Sequence, residues 1–350
     1  MTDSRRACRL LLLAAAAAAA VAAAWPATPA EAQAPIIVRM ATLVPDGSSW
    51  HLILKETADK WKQLSGGRVT VRLFPGGVAG DDPDVVRKMR LGTLNGGVLT
   101  SVGVAELDKA VYAMGIPLMY DSYDELYWVH EKMRPKLEAS LEAKGYVVLN
   151  WADAGWVHFF TRKPVAVPED LRKLKLFSWA GDAESVEVWR SAGFNPVPLP
   201  STEITTALQT GLVEAIGAPP QVAVITQYFN HARYMTDLRW QLLQGATVIT
   251  KATWEKIPAD LRPALLKVSQ EDGARLRKDV RDSEARDVEA MKKRGLTVVP
   301  VSAAQQAEWQ KLTESVYPQV RGKILPAEAF DEAMRYRDEY RKQRGATAGK

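Results

Sequence analysis

The residues with the most reactive side chains do not assemble into a catalytic pattern. Four histidines, His51, His130, His158 and His231, are scattered, and no two stand at metal-ligand spacing. Cys8 is the only cysteine. It precedes an apolar leader, so the processed chain has no thiol for zinc, redox chemistry or a disulfide. No serine sits in a G-x-S-x-G elbow. Carboxylates are plentiful, but sequence alone does not show two of them sharing a cleft. Gly76-Gly77-Val78-Ala79-Gly80 lies between a strand and a helix, yet fits neither the dinucleotide nor the P-loop pattern. It reads as a tight turn. No metal and no cofactor is expected, and no enzyme.

Aromatic residues carry more information. Of eleven tryptophans, Trp50, Trp151, Trp156 and Trp179 fall near strand ends and turns. Trp61 and Trp189 lie inside helices and are assigned to core. For Trp151, Trp156 and Trp179, cleft lining is as good a reading as core packing, because rings on loops commonly wall an apolar pocket. Phe177-Ser178-Trp179 ends a short apolar strand. In open α/β sheets ligands bind outside the carboxyl ends of the strands, so this end is the first place to look.

The elements that position these residues are two parallel α/β units. The first runs strand Ile36–Thr42, helix Trp50–Leu64, strand Val69–Phe74, helix Asp82–Leu91, strand Gly97–Thr100. The second occupies 171–220, with strand Leu174–Ser178 and a helix stopped by Gly211 before strand Glu214–Ile216. Between them come helix Tyr123–Lys144, strand Tyr146–Asn150, a crossing point Trp151–Gly155 and strand Trp156–Thr161. After Pro219 a helix runs to Phe229. Two apolar stretches, Tyr234–Leu238 and Leu242–Thr250, then lead back towards the first unit. Pro258–Arg294 carries an approximately helical apolar stripe and is longer than one small domain needs. Strand Leu296–Val299 follows. Ser302-Ala303-Ala304-Gln305 is a capping box opening a helix towards Tyr317, and the basic end from Arg341 is expected to fray.

Length and composition bound the function. The chain has 350 residues, enough for two domains. Its 47% hydrophobic and 25% charged content is that of a globular protein. The net charge of +5 comes from interleaved signs rather than a basic patch, which argues against nucleic acid. Arg5, Arg6 and Arg9, the apolar run Leu10–Ala24, and small-x-small sites at Ala30-Glu31-Ala32 and Ala32-Gln33-Ala34 read as a cleaved export signal. No later stretch is long and apolar enough to span a bilayer, so a periplasmic protein is expected.

Several motifs together resemble the solute-binding proteins of tripartite ATP-independent periplasmic (TRAP) transporters. They are Val69-Thr70-Val71-Arg72-Leu73-Phe74-Pro75-Gly76-Gly77 with Gly80-Asp81-Asp82, Val167-Pro168-Glu169-Asp170-Leu171 with Leu174-Lys175-Leu176, and Ala207-Leu208-Gln209-Thr210-Gly211-Leu212-Val213-Glu214. The similarity covers nearly the whole processed chain in order. It implies an α/β fold of two lobes around a cleft (a "Venus flytrap"), with crossing strands as hinge and a long helix bracing both lobes. The boundaries it implies are a signal over 1–32, lobe I over 35–152 plus about 243–282, lobe II over 153–242 plus about 283–340, and a disordered tail over 341–350. It also implies capture of a small molecule by lobe closure and delivery to the membrane subunits of a transporter.

The sequence departs from the family where the ligand would be held. The resemblance implies an arginine clamping a substrate carboxylate at the end of the strand after the P-E-D-L motif, and Phe177 stands there. A second arginine, expected near Val157 and His158, is missing. The family's asparagine falls near Ala218, beside Pro219. Arg162 and Arg190 are the candidate replacement cations. The resulting ligand-site set is Phe177, Trp179, Trp156, His158, Trp151, Trp50, Ser101, Gln209, Ala218 and Pro219. With apolar residues where the clamp would be, the expected ligand is more hydrophobic or aromatic than a dicarboxylate. An enzyme on the same scaffold and a lipid- or partner-binding periplasmic protein outside transport are the alternatives.

Overall fold

The computed structural model describes residues 34–348; the expected export signal over 1–32 lies outside them. Among the described residues, eleven strands build two mixed sheets. The first contains β1 (Ile36–Thr42), β2 (Val69–Phe74), β3 (Gly96–Thr100), β4 (Tyr146–Trp156) and β10 (Leu242–Thr250), in the order β2-β1-β3-β10-β4. The second contains β5 (His158–Thr161), β6 (Lys175–Trp179), β7 (Asn195–Leu199), β8 (Ala215–Ala218), β9 (Tyr234–Thr236) and β11 (Thr297–Val299), in the order β11-β9-β5-β8-β6-β7. Each sheet holds one parallel unit, β2-β1-β3 and β7-β6-β8, as the sequence pattern requires. Each is extended by antiparallel strands, β10 on the first and β5 on the second.

The crossing between sheets differs from the expected one. β4 does not stop at Asn150. It continues to Trp156, because β10 pairs with it along that length, from Tyr146–Thr250 to Trp156–Leu242. The switch is at Val157. Its amide donates to the Gln241 carbonyl at 2.8 Å, and its carbonyl accepts from the Trp240 amide at 2.9 Å. The outgoing and returning chains are therefore hydrogen-bonded to each other where they pass between lobes.

Local signals explain the element ends. Asp81 caps helix Asp82–Arg90 and Ser122 caps helix Tyr123–Ala143 through their side chains. Gly211 ends helix Ile204–Thr210 at φ 75°, a left-handed position that favours glycine. The Ser302 and Gln305 capping box is present at the start of helix Ala303–Gln319. The basic end is not frayed from Arg341: helix Ala327–Ala348 continues through it. There the Arg341 guanidinium is anchored to Glu125 at 2.6 Å and to Asp121 at 2.8 Å. A long-range ion pair to a buried carboxylate is invisible in a local reading.

Helix Arg262–Lys292 ties the lobes together. Leu265 packs with Val38, Met40 and Trp61 under the first sheet. Leu276 and Val280 pack with Trp50 and Ile53 at the middle. Met291 joins Phe160, Phe177 and Met235 in the second lobe. At about 1.5 Å per residue its 31 residues span about 46 Å, enough to serve both cores.

Candidate ligand-binding cleft

Between the two sheets lies a cavity of about 370 Å³, at the carboxyl ends of β1, β3, β6 and β8. Trp50, Leu54 and Leu99 line it from the first lobe, Phe177, Trp179 and Ala218 from the second, and Leu276 from the long helix. On β6 the two-residue alternation of a strand sends Leu176 into one core cluster and Phe177 into another, with Trp179 beside it. The two rings meet edge-on with centroids 5.8 Å apart. Gly245 of β10 lies opposite Thr100, and a Cβ there would come within 2.2 Å of the Leu99 carbonyl oxygen. Only glycine lets the backbones approach so closely at the cleft floor.

The electrostatics of the lining are simple. Among the described residues no lysine, arginine or histidine lines the cavity, and Asp153 is the only charged one that does. Burial pushes the Asp153 carboxyl up to about 7, against the pull of the nearby Arg281 and Arg277 guanidiniums. Gln244 stands directly across from Asp153 in the β4–β10 register. Both Asp153 carboxylate oxygens, Gln244 Oε1 and Trp50 Nε1 are buried without hydrogen-bond partners. Among the described residues no group of three or more His, Cys, Asp or Glu is arranged to hold a metal ion.

Five of the ten expected site residues line this cleft: Phe177, Trp179, Trp50, Ala218 and Pro219. Trp151 does not. It faces helix Tyr123–Ala143, where its Nε1 donates to Glu138 at 3.0 Å, while its neighbours Ala152 and Ala154 line the cleft. Trp156 is core, packed on Tyr123 with ring centroids 5.4 Å apart. His158 is buried, with Nδ1 at 3.1 Å from the Thr236 carbonyl, and burial lowers its pKa. Gln209 is exposed on its helix, away from the cavity. Ser101 lines a separate chamber. In β4 and β5, residue type suggested lining, but strand register put the large rings on the core face.

Neither candidate cation replaces the clamp. The Arg162 guanidinium donates to the Leu208 and Gln209 carbonyls, capping the end of helix Ile204–Thr210. Arg190 is exposed, and neither lines the cleft. The sequence reading missed the first-lobe wall, Thr42, Val98 and Thr100. The strand-end rule that found Phe177 would have found these at the ends of β1 and β3. It also missed the contacts that hold the lobes together. Asp81 accepts from the Ser201 amide at 2.6 Å and from Ser201 Oγ at 2.8 Å. The Tyr112 hydroxyl donates to Asp182 at 2.8 Å, and Lys109 meets Glu184 at 2.5 Å.

Residues 40–323 match the family model for bacterial extracellular solute-binding proteins, family 7 (DctP). The chain belongs to this family. The receptor is 26% identical over 253 residues to the 2,3-diketo-L-gulonate-binding periplasmic protein YiaO of Escherichia coli K12, covering 72% of this chain and 77% of that one. It is 25% identical over 309 residues to the C4-dicarboxylate-binding periplasmic protein DctP of Rhodobacter capsulatus, covering 85% and 90%. Among solved structures, the receptor resembles the sugar acid binding protein DctPAm of Advenella mimigardefordensis in complex with galactonate. The TM-score is 0.81 at 19% identity, with 87% of this chain and 99% of that one covered. A TRAP periplasmic solute binding protein of Sulfurospirillum deleyianum with bound succinate gives a TM-score of 0.78 at 22% identity, covering 87% and 99%. The family is one of transport receptors, not enzymes. The receptor therefore shares the family's two-lobed α/β fold.

Proposed function

We propose that the protein is a periplasmic receptor that captures an organic compound with a large apolar body by lobe closure and delivers it to the membrane subunits of a TRAP transporter. Removal of 1–32 places it in the periplasm. Lobe I comprises 35–152 plus about 243–282, and lobe II 153–242 plus about 283–340, hinged at the strands that cross at Val157. Phe177, Trp179, Trp50, Ala218 and Pro219 hold the ligand. The observation that carries the ligand class is that, among the described residues, no cationic side chain lines the cleft. Relatives of this fold are described with bound galactonate or succinate. Here an ionised carboxylate taken into the cleft would be left without a partner, at a cost of several kcal/mol. Burial of apolar ligand surface supplies about 25 cal/mol per Å² instead, and any carboxylate on the ligand stays at the cleft mouth.

Mass spectrometry of the molecule that co-purifies with the protein identifies the ligand, and Phe177→Arg tests the site. The variant is expected to bind that molecule at least about tenfold more weakly and to gain affinity for succinate by calorimetry, since an arginine–carboxylate pair adds charge-assisted hydrogen bonds. Tight succinate binding by the wild type that is lost in an Arg162 or Arg190 variant would overturn the reading. No effect of Phe177→Arg on any ligand would place the site elsewhere.

A further inference from the structure

A second cavity, of about 210 Å³, lies behind the cleft. Phe177, Trp179, Gly217 and Leu243 line both spaces, so the chamber and the cleft share a wall. The far side of the chamber is aromatic. Phe159, Trp189, Phe194 and Trp240 face it, with Trp189 stacked on Trp240 at 5.5 Å and edge-on to Phe194 at 4.8 Å. Its floor comes from a third part of the chain, through Val316 and Leu325. The polar groups at its margin are mostly engaged with each other. Asp182 accepts from the Tyr112 hydroxyl at 2.8 Å, from Ser185 Oγ at 2.6 Å and from the Ser185 amide at 3.0 Å. The Tyr317 hydroxyl donates to the Pro117 carbonyl at 2.8 Å. Among the described residues Ser178 Oγ is the one buried side-chain oxygen of the lining without a partner. Among the described residues Asp182 is the only ionisable acid or base of the lining apart from the tyrosines, and it is already bound.

Resting on the proposed receptor function, we propose that this chamber is a second compartment of the ligand site, and that it takes a phenyl-sized apolar extension of an organic acid whose other end lies in the main cleft. An apolar cavity of about 150 Å³ accommodates benzene, so 210 Å³ has room for an aryl group. Aromatic walls favour a ring through edge-on and offset contacts. The engaged polar groups give a charged or multiply hydroxylated moiety little to bond. Phe177 and Trp179 are then the partition around which the ligand is threaded. Ser101, on the lobe I side of the chamber, contacts the ligand there rather than in the cleft.

The test uses 4-phenylbutanoate and butanoate, titrated calorimetrically into the full processed chain. Val188→Phe and Val316→Phe fill the chamber from two different helices, and Val222→Phe narrows only the main cleft. Circular dichroism and thermal melts establish that each variant is folded, and two independent filling variants guard against the misfolding of one. The wild type is expected to prefer the phenyl acid by about tenfold or more. Both chamber-filling variants should abolish that preference while leaving butanoate within about twofold, and Val222→Phe should weaken both acids. A preference that survives both filling variants overturns the proposal, as does equal weakening of both acids by all three. If the wild type shows no preference while an apolar molecule co-purifies, the second compartment falls and the receptor reading stands. If a small, highly charged acid co-purifies instead, the second compartment and the apolar-ligand reading both fall, while the family's receptor function stands.

Discussion

Asp82 illustrates how one buried side chain in a family-like motif affects the whole molecule. It opens a helix beside β3, fully buried, and its Oδ2 accepts from the Thr100 amide at 2.8 Å and from the Thr100 hydroxyl at 2.7 Å. Desolvation outweighs these bonds and raises its pKa from 3.8 to about 7. Between about pH 4 and 7 the unfolded chain has released this proton while the folded chain keeps it. Stability therefore falls as pH rises through that window, and the loss is complete above it. Asp153, also raised to about 7, acts in the same direction. His130 acts in the opposite one. Burial holds it neutral down to about 3, so its contribution is lost as pH falls from about 6.5 towards 3. Asp82→Asn removes one titration while keeping an acceptor for Thr100. The fall in melting temperature from pH 5 to pH 8 should become shallower than in the wild type. An unchanged slope in thermal melts would show that Asp82 is already ionised in the folded protein at pH 5.

At the scale of elements, helix Arg262–Lys292 has two roles that share one residue. Leu276 packs with Trp50, Ile53 and Val280, and it also lines the cleft. Leu276→Ala is expected to cost about 2–5 kcal/mol by denaturant unfolding and to weaken ligand binding. A stability loss with unchanged affinity would confine Leu276 to the brace. The element's existence and length were legible from its apolar stripe. The β4 boundary was not, because a polar and small-residue stretch around Asp153 reads as a loop until β10 supplies the pairing partner. Strand register decided which aromatic residues reached the cleft. Trp151 and Ala152 are neighbours in sequence and point to opposite faces.

At the scale of the whole molecule, the two lobes are joined by contacts between residues far apart in sequence. Asp81 receives both hydrogen bonds from Ser201 and also caps its own helix at the Asp82 amide. The Lys109–Glu184 pair is about half exposed and adds little. Asp81→Ala should open the lobes more readily. The two lost hydrogen bonds, each worth on the order of 1 kcal/mol, together correspond to a factor of about 30, so ligand dissociation in stopped flow should accelerate by roughly that much. An unchanged dissociation rate would show that Asp81 serves only as a helix cap.

The sequence by itself determined the two parallel units, the over-long helix and the capping signals. These are set by local periodicity, turn chemistry and residue identity, which are written in order along the chain. Tertiary structure decided the rest: where the chain crosses between sheets, which rings face the cleft, that Arg162 is occupied by helix carbonyls, and that a second chamber stands behind Phe177 and Trp179. Each depends on pairing and packing between segments up to some 200 residues apart. A contact at that separation leaves no periodic trace in either partner.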